Sequence, residues 1–79
     1  MDTFGDFKRI SQNPSIMGGK PCIKGTRITV ARVVAQIGVG QSIESLLKDY
    51  PALTYTDVLE ALRYAAWLAE EREIELVQV

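Results

Sequence analysis

Histidine is absent from this 79-residue chain, and cysteine and tryptophan occur once each. No apolar run is long enough to cross a membrane. Each shortage excludes something. Without histidine the usual zinc-ligand sets are missing, and Cys22 has no imidazole to act as its base. Flanked by Pro21 and Ile23, Cys22 reads as a structural residue. A lone cysteine also forms no internal disulfide. The opening Met1-Asp2-Thr3-Phe4-Gly5-Asp6 has no basic stretch and no long apolar run, so no signal peptide or membrane contact is expected and the cytoplasm is the simplest compartment. A domain this small buries only roughly 60% of the surface its unfolded chain exposes. Its core supplies about 3–5 kcal/mol, and oligomerisation is the usual remedy when disulfides and metals are missing. A homodimer is therefore expected.

Enzymatic readings fail on particular residues. A phosphate-binding loop around Gly19-Lys20 needs a glycine where Pro14 stands and a hydroxyl residue where Pro21 stands. Proline also removes a backbone N–H that would cradle phosphate. Glu70, Glu71, Glu73 and Glu75 have no other ligand type beside them and read as a solvated acidic face. No catalytic constellation and no cofactor are expected.

Charge is divided unevenly along the chain. Residues 1–40 carry six basic residues against two acidic, a surplus of four positive charges. Residues 41–79 carry three against eight, a surplus of five negative charges. Such a split fits a nucleic-acid face beside an acidic partner face, and equally two halves that neutralise each other within or between chains.

Punctuation marks out the elements. Phe7 to Ser11 suits a short strand, ended by the turn-initiating Asn13-Pro14. Gly18-Gly19 lets the backbone reverse, and Pro21-Cys22-Ile23 reads as a returning strand. Thr29 is placed to cap a helix whose Val30, Val33, Val34 and Ile37 share a face, with Gly38 and Gly40 closing it. Ser42 opens a second helix, with Ile43, Leu46, Leu47 and Tyr50 on one face, and Pro51 stops it. Thr54 and Asp57 form a capping-box-like pair, with Leu53 and Val58 as a staple, so a third helix runs from Thr54 to about Arg72. The fold expected is a small, mostly helical α+β domain: a β-element over 1–28, a three-helix bundle over 29–73 and an apolar tail over 74–79. The second and third helices have the spacing of a helix-turn-helix.

The stretch Ile16-Met-Gly-Gly-Lys-Pro-Cys-Ile-Lys-Gly-Thr-Arg-Ile-Thr-Val30, followed by Tyr50-Pro51-Ala52-Leu53-Thr54, resembles the small bacterial domain-of-unknown-function family 433 (DUF433). Its members include proteins similar to antitoxins of Vap-type toxin–antitoxin pairs. The matching positions are Pro14, Gly19, Lys20, Pro21, Ile23, Gly25, Thr26, Arg27, Ile28, Val30, Tyr50, Pro51, Leu53 and Thr54. Two positions depart from the pattern. Cys22 replaces a branched aliphatic residue and Thr29 a proline, and both substitutes suit their places. The resemblance implies a homeodomain-like helical unit behind a β-element. It also implies an antitoxin-like regulatory module that binds a cognate PIN-like nuclease toxin and its own promoter. The alternatives are a protein-interaction module with no nucleic-acid role and a stand-alone helix-turn-helix DNA-binding regulator.

Three candidate surfaces follow. Lys20, Lys24, Arg27 and Arg32 surround the β-element and first helix and suit a phosphate backbone, joined by Arg63 on the third helix. Arg27 has the competing role of holding the β-to-helix junction by pairing with backbone carbonyls or with a glutamate of the third helix. On the third helix Val58, Leu62, Ala65 and Ala69 form one stripe, flanked by Tyr55 and Ala66, with Trp67 about opposite. Tyr64, Trp67 and Leu68 are then a second face for a dimer interface, unless the β-element covers Trp67 within the monomer. Thr56, Asp57, Glu60 and Arg63 would be the exposed N-terminal residues of that helix, a poor set for a DNA groove. Ile74, Leu76, Val77 and Val79 are too apolar for a solvated tail and suit contact with a partner protein.

Overall fold

The computed structural model describes residues 7–71. Two short strands, β1 (Ile10–Ser11) and β2 (Cys22–Ile23), pair antiparallel with Ile10 opposite Ile23 and Ser11 opposite Cys22. Three helices follow: α1 (Val30–Gly38), α2 (Ile43–Asp49) and α3 (Tyr55–Glu71). The fold is the small, mostly helical α+β arrangement that the sequence pattern requires. Among the described residues no helix is long and apolar enough to cross a membrane.

Local chemistry explains each boundary. The turn between the strands holds one 3-10 turn, Met17–Gly19, in which three successive residues take positive φ: Met17 at 51°, Gly18 at 67° and Gly19 at 86°. Glycine occupies the left-handed region without penalty, whereas Met17 is strained there. The Thr29 hydroxyl accepts from the Arg32 N–H and caps α1. Gly40, at φ 103°, ends it, its N–H donating to the Ile37 carbonyl. The Ser42 hydroxyl caps α2 through the Ser45 N–H. At α3 the capping box is reciprocal: the Thr54 N–H donates to the Asp57 carboxylate and the Asp57 N–H to the Thr54 hydroxyl, both at 3.1 Å.

The core lies where α1 packs across α3, with Leu46 of α2, Ile23 of β2 and Leu53 closing its sides. Val33, Leu46, Val58 and Ile23 are fully buried there.

Two expectations are corrected. The first strand is Ile10–Ser11, not Phe7–Ser11. Upstream the chain turns, with the Ile10 N–H donating to the Phe7 carbonyl and the Arg9 N–H diverted to the Glu60 carboxylate. The buried side of α3 also differs. Asp57, Val58, Glu60, Ala61 and Tyr64 are buried, while Tyr55, Ala66 and Ala69 are exposed. At 100° per residue the buried arc is turned by roughly a quarter of a circle from the apolar stripe. The cause is that two carboxylates of that arc are consumed by internal partners, which a hydrophobicity pattern counts as solvated.

Candidate functional site

One contact decides how the N-terminal segment sits on α3. Arg9 Nε donates to Asp57 Oδ1 at 2.7 Å, with Arg9 Nη2 at 3.5 Å from Oδ2. The Arg9 backbone N–H donates to Glu60 Oε2 at 2.7 Å. Asp57 is 1% exposed and Glu60 7%, so neither is available to a groove of DNA. Burial alone would raise the Asp57 carboxyl, but the hydrogen bond from Arg9, those with Thr54 and the Arg9 charge hold it below its ordinary value. The same hydrogen bond and charge raise Arg9. Sequence reasoning missed this knot because the partners lie 48 and 51 residues apart. The one available signal was a carboxylate at the third position of a capping box, a place where Asp is fixed by the backbone.

The aromatic residues are also claimed within the chain. Phe7 stands edge-on to Tyr64, with ring centroids 5.1 Å apart, and lies 5.9 Å from Trp67. Arg63 sits 6.0 Å over the Phe7 ring, with its Nη2 3.9 Å from Glu60 Oε1. Burial raises the Tyr64 phenol above its ordinary value. The expectation that Tyr64, Trp67 and Leu68 form one free face is thus corrected: Tyr64 is in the core and Trp67 is half-buried under Phe7. Leu68 stays exposed. The indole Nε1 of Trp67 is buried without a hydrogen-bond partner among the described residues.

Two open concavities flank α1. A groove of about 470 Å³ runs between α1 and α3, floored by Val30 and Tyr64 and walled by Ala31, Val34, Ala35, Ala65 and Leu68. Lys20 lies on its rim. On another side of α1 a cleft of about 200 Å³ is lined by Met17, Arg27, Ile28, Thr29, Arg32 and Tyr50.

The predicted basic residues are therefore divided. Arg27 and Arg32 share the cleft, Lys20 borders the apolar groove, Lys24 is exposed in the turn after β2, and Arg63 lies on α3 beside Glu60. The junction role expected of Arg27 belongs to its neighbour. The Thr26 hydroxyl donates to the Ile23 carbonyl at 2.8 Å and accepts from the Ile28 N–H at 2.9 Å. With those backbone groups satisfied, Arg27 points away, exposed, and has no carboxylate within 4 Å among the described residues. The predicted partner contacts Ile74, Leu76, Val77 and Val79 lie outside the described residues.

Residues 10–65 match the family described as "Protein of unknown function (DUF433)", more than half of the chain. The chain belongs to the DUF433 family. It is 36% identical over 56 residues to the uncharacterized protein y4eO of Sinorhizobium fredii (strain NBRC 101917 / NGR234). That alignment takes in 71% of this chain and 25% of that protein, so the chain spans about a quarter of the length of the curated relative it matches. A DUF433 member from Anabaena variabilis ATCC 29413, solved as a crystal structure, superposes with a TM-score of 0.74 at 35% identity. The superposition covers 80% of this chain and 62% of that one. Within the DUF433 match lie both strands, α1, α2, the Arg27–Arg32 cleft and the first part of α3. Phe7, Arg9, Trp67 and Leu68 fall outside it.

Proposed function

We propose that this DUF433 domain is an antitoxin-like regulatory module that binds and neutralises a cognate PIN-like nuclease toxin, pairs as a homodimer and binds its own promoter DNA. The observation that carries the reading is the apolar groove between α1 and α3. Its walls are small or aliphatic residues, Ala31, Val34, Ala35, Ala65 and Leu68, and nothing among the described residues fills it. Exposed apolar patches mark contact sites, and an amphipathic helix of another protein can lay its apolar face into such a groove. Glu70 follows Leu68 at the end of α3, exposed, and suits the basic surface of a nuclease that handles an anionic substrate. The resemblance to Vap-type antitoxins supports the identity of the partner.

The alternative of a stand-alone DNA reader is less well supported. Asp57 and Glu60, near the start of the helix that would enter a groove, are tied to Arg9. The test is affinity capture of the tagged domain from its native host, with mass spectrometry of bound proteins. A PIN-like nuclease should be recovered by the wild type and lost with Ala35→Glu, a substitution at an exposed groove wall that leaves the melting curve close to wild type. Failure to recover a nuclease, or recovery indifferent to Ala35→Glu, overturns the reading.

A further inference from the structure

The four arginines of the described residues fall into two pairs. Arg9 is bonded to Asp57, and Arg63 lies beside Glu60. Arg27 and Arg32 have no carboxylate within 4 Å among the described residues, and both line the same cleft. No acidic residue lines that cleft. We propose that it holds a phosphate of a nucleic-acid backbone, with Arg27 and Arg32 as the two cationic walls. The proposal deepens the nucleic-acid part of the reading above by naming the contact.

Both arginines are rooted in stiff backbone. The Arg27 main chain lies in a turn held by Thr26, by the Ile23 N–H bond to the Ile28 carbonyl and by the bridge between Cys22 and Thr29. Arg32 is in the first turn of α1, its N–H capped by Thr29. Two guanidinium groups set on such a frame lose little further backbone freedom when they close on an anion, and their planar forks match phosphate oxygens. The floor is different in kind. Tyr50, half-buried, ends α2, and Met17 is 43% exposed in a left-handed conformation that costs free energy for a residue with a side chain. A strained, exposed methionine beside a tyrosine offers an apolar face on which a sugar can rest. At about 200 Å³ the cleft is smaller than sites that enclose a whole ligand, which suits one backbone unit of a longer chain.

The choice of a nucleic acid over a phosphorylated protein rests on extent. Lys24 is also exposed, in the turn after β2 three residues before Arg27, so positive charge continues beyond the cleft. A repeating polyanion uses that continuation, and a single phosphate does not. With Asp57 and Glu60 spent internally, the contact reads the backbone and carries little base information.

The test uses the whole 79-residue chain and a short fluorescent duplex of random sequence, titrated at a series of salt concentrations. Losing the one phosphate held in the cleft should flatten the plot of log affinity against log salt by about one unit. Arg27→Gln with Arg32→Gln should therefore weaken binding by about tenfold at about 0.1 M salt. The melting curve should stay at the wild-type position, because neither side chain is hydrogen-bonded among the described residues. Arg63→Gln, beside Glu60, should leave the slope unchanged. Toxin capture by the double variant should be intact, which separates this proposal from the groove. No binding by the wild type, an unchanged slope in the double variant, or equal displacement by a singly phosphorylated peptide each overturns it.

Discussion

Asp57 carries more of this molecule than its place in a capping box suggests. Its carboxylate accepts from the Thr54 N–H at the start of α3 and from Arg9 in the segment before β1, so one side chain both starts a helix and ties down a remote segment. The capping bond is worth about 1 kcal/mol, and hydrogen bonds to a charged group add a similar or larger amount. Asp57→Asn should destabilise the domain by about 2 kcal/mol at neutral pH. The pH dependence has a definite sign. The native carboxyl titrates below its unfolded value, so its contribution is complete above the ordinary aspartate range. It drains away as the pH falls from about 4 through the lowered native value. Thermal melts should show the gap between wild type and Asp57→Asn narrowing in that window. A gap of constant size from neutral to acid pH means that the ionised carboxylate is not the stabilising species.

At the scale of elements, the turn between β2 and α1 is held by Thr26. Its hydroxyl bridges the Ile23 carbonyl and the Ile28 N–H, which lets Ile28 and Thr29 run back alongside β2 and aim α1 at α3. Thr26→Val keeps the shape and removes both hydrogen bonds. It should cost about 1–3 kcal/mol in urea unfolding, while Thr26→Ser should lie near wild type. Equal midpoints for all three proteins would show that water replaces the hydroxyl without loss. α3 is the other element whose setting depends on distant residues. Phe7 packs on Tyr64 and Trp67, and Arg9 engages Asp57 and Glu60, so the face of α3 that looks polar and aromatic in sequence is the one that turns inward.

For the whole molecule, the uneven charge of the two halves is partly cancelled inside one chain by the Arg9–Asp57 pair. Lys8, Lys20, Lys24, Arg27 and Arg32 in the first half and Lys48 on α2 have no carboxylate within 4 Å among the described residues. Self-association is the other property that belongs at this scale. Since Tyr64 and Trp67 are covered by Phe7, Leu68 is the residue of the expected dimer face that stays exposed, and it also lines the groove proposed for the toxin. Leu68→Glu places a charge on that face without touching the core. Sedimentation should move from dimer toward monomer with little change in melting temperature. A wild type that sediments as a monomer at the highest soluble concentration removes the dimer from the proposal.

Local rules sufficed for much of the architecture. Thr29, Ser42 and Thr54 each mark a helix start because a hydroxyl at that position meets an N–H a few residues later, and such contacts need no distant partner. The left-handed turn at Gly18-Gly19 and the end of α1 at Gly40 follow from the steric freedom of single residues. The DUF433 signature was legible for the same reason, since its residues are largely those of turns and caps. What surrounds α3 was settled only by tertiary contacts. Arg9 and Asp57 are 48 residues apart, and no periodicity links them, so a pattern that assigns carboxylates to solvent turns the helix the wrong way. Arg27 shows the converse. Its neighbour Thr26 satisfies the junction that the sequence offered to Arg27, and the freed guanidinium meets Arg32 across a cleft that exists only once α1 and the end of α2 are in place.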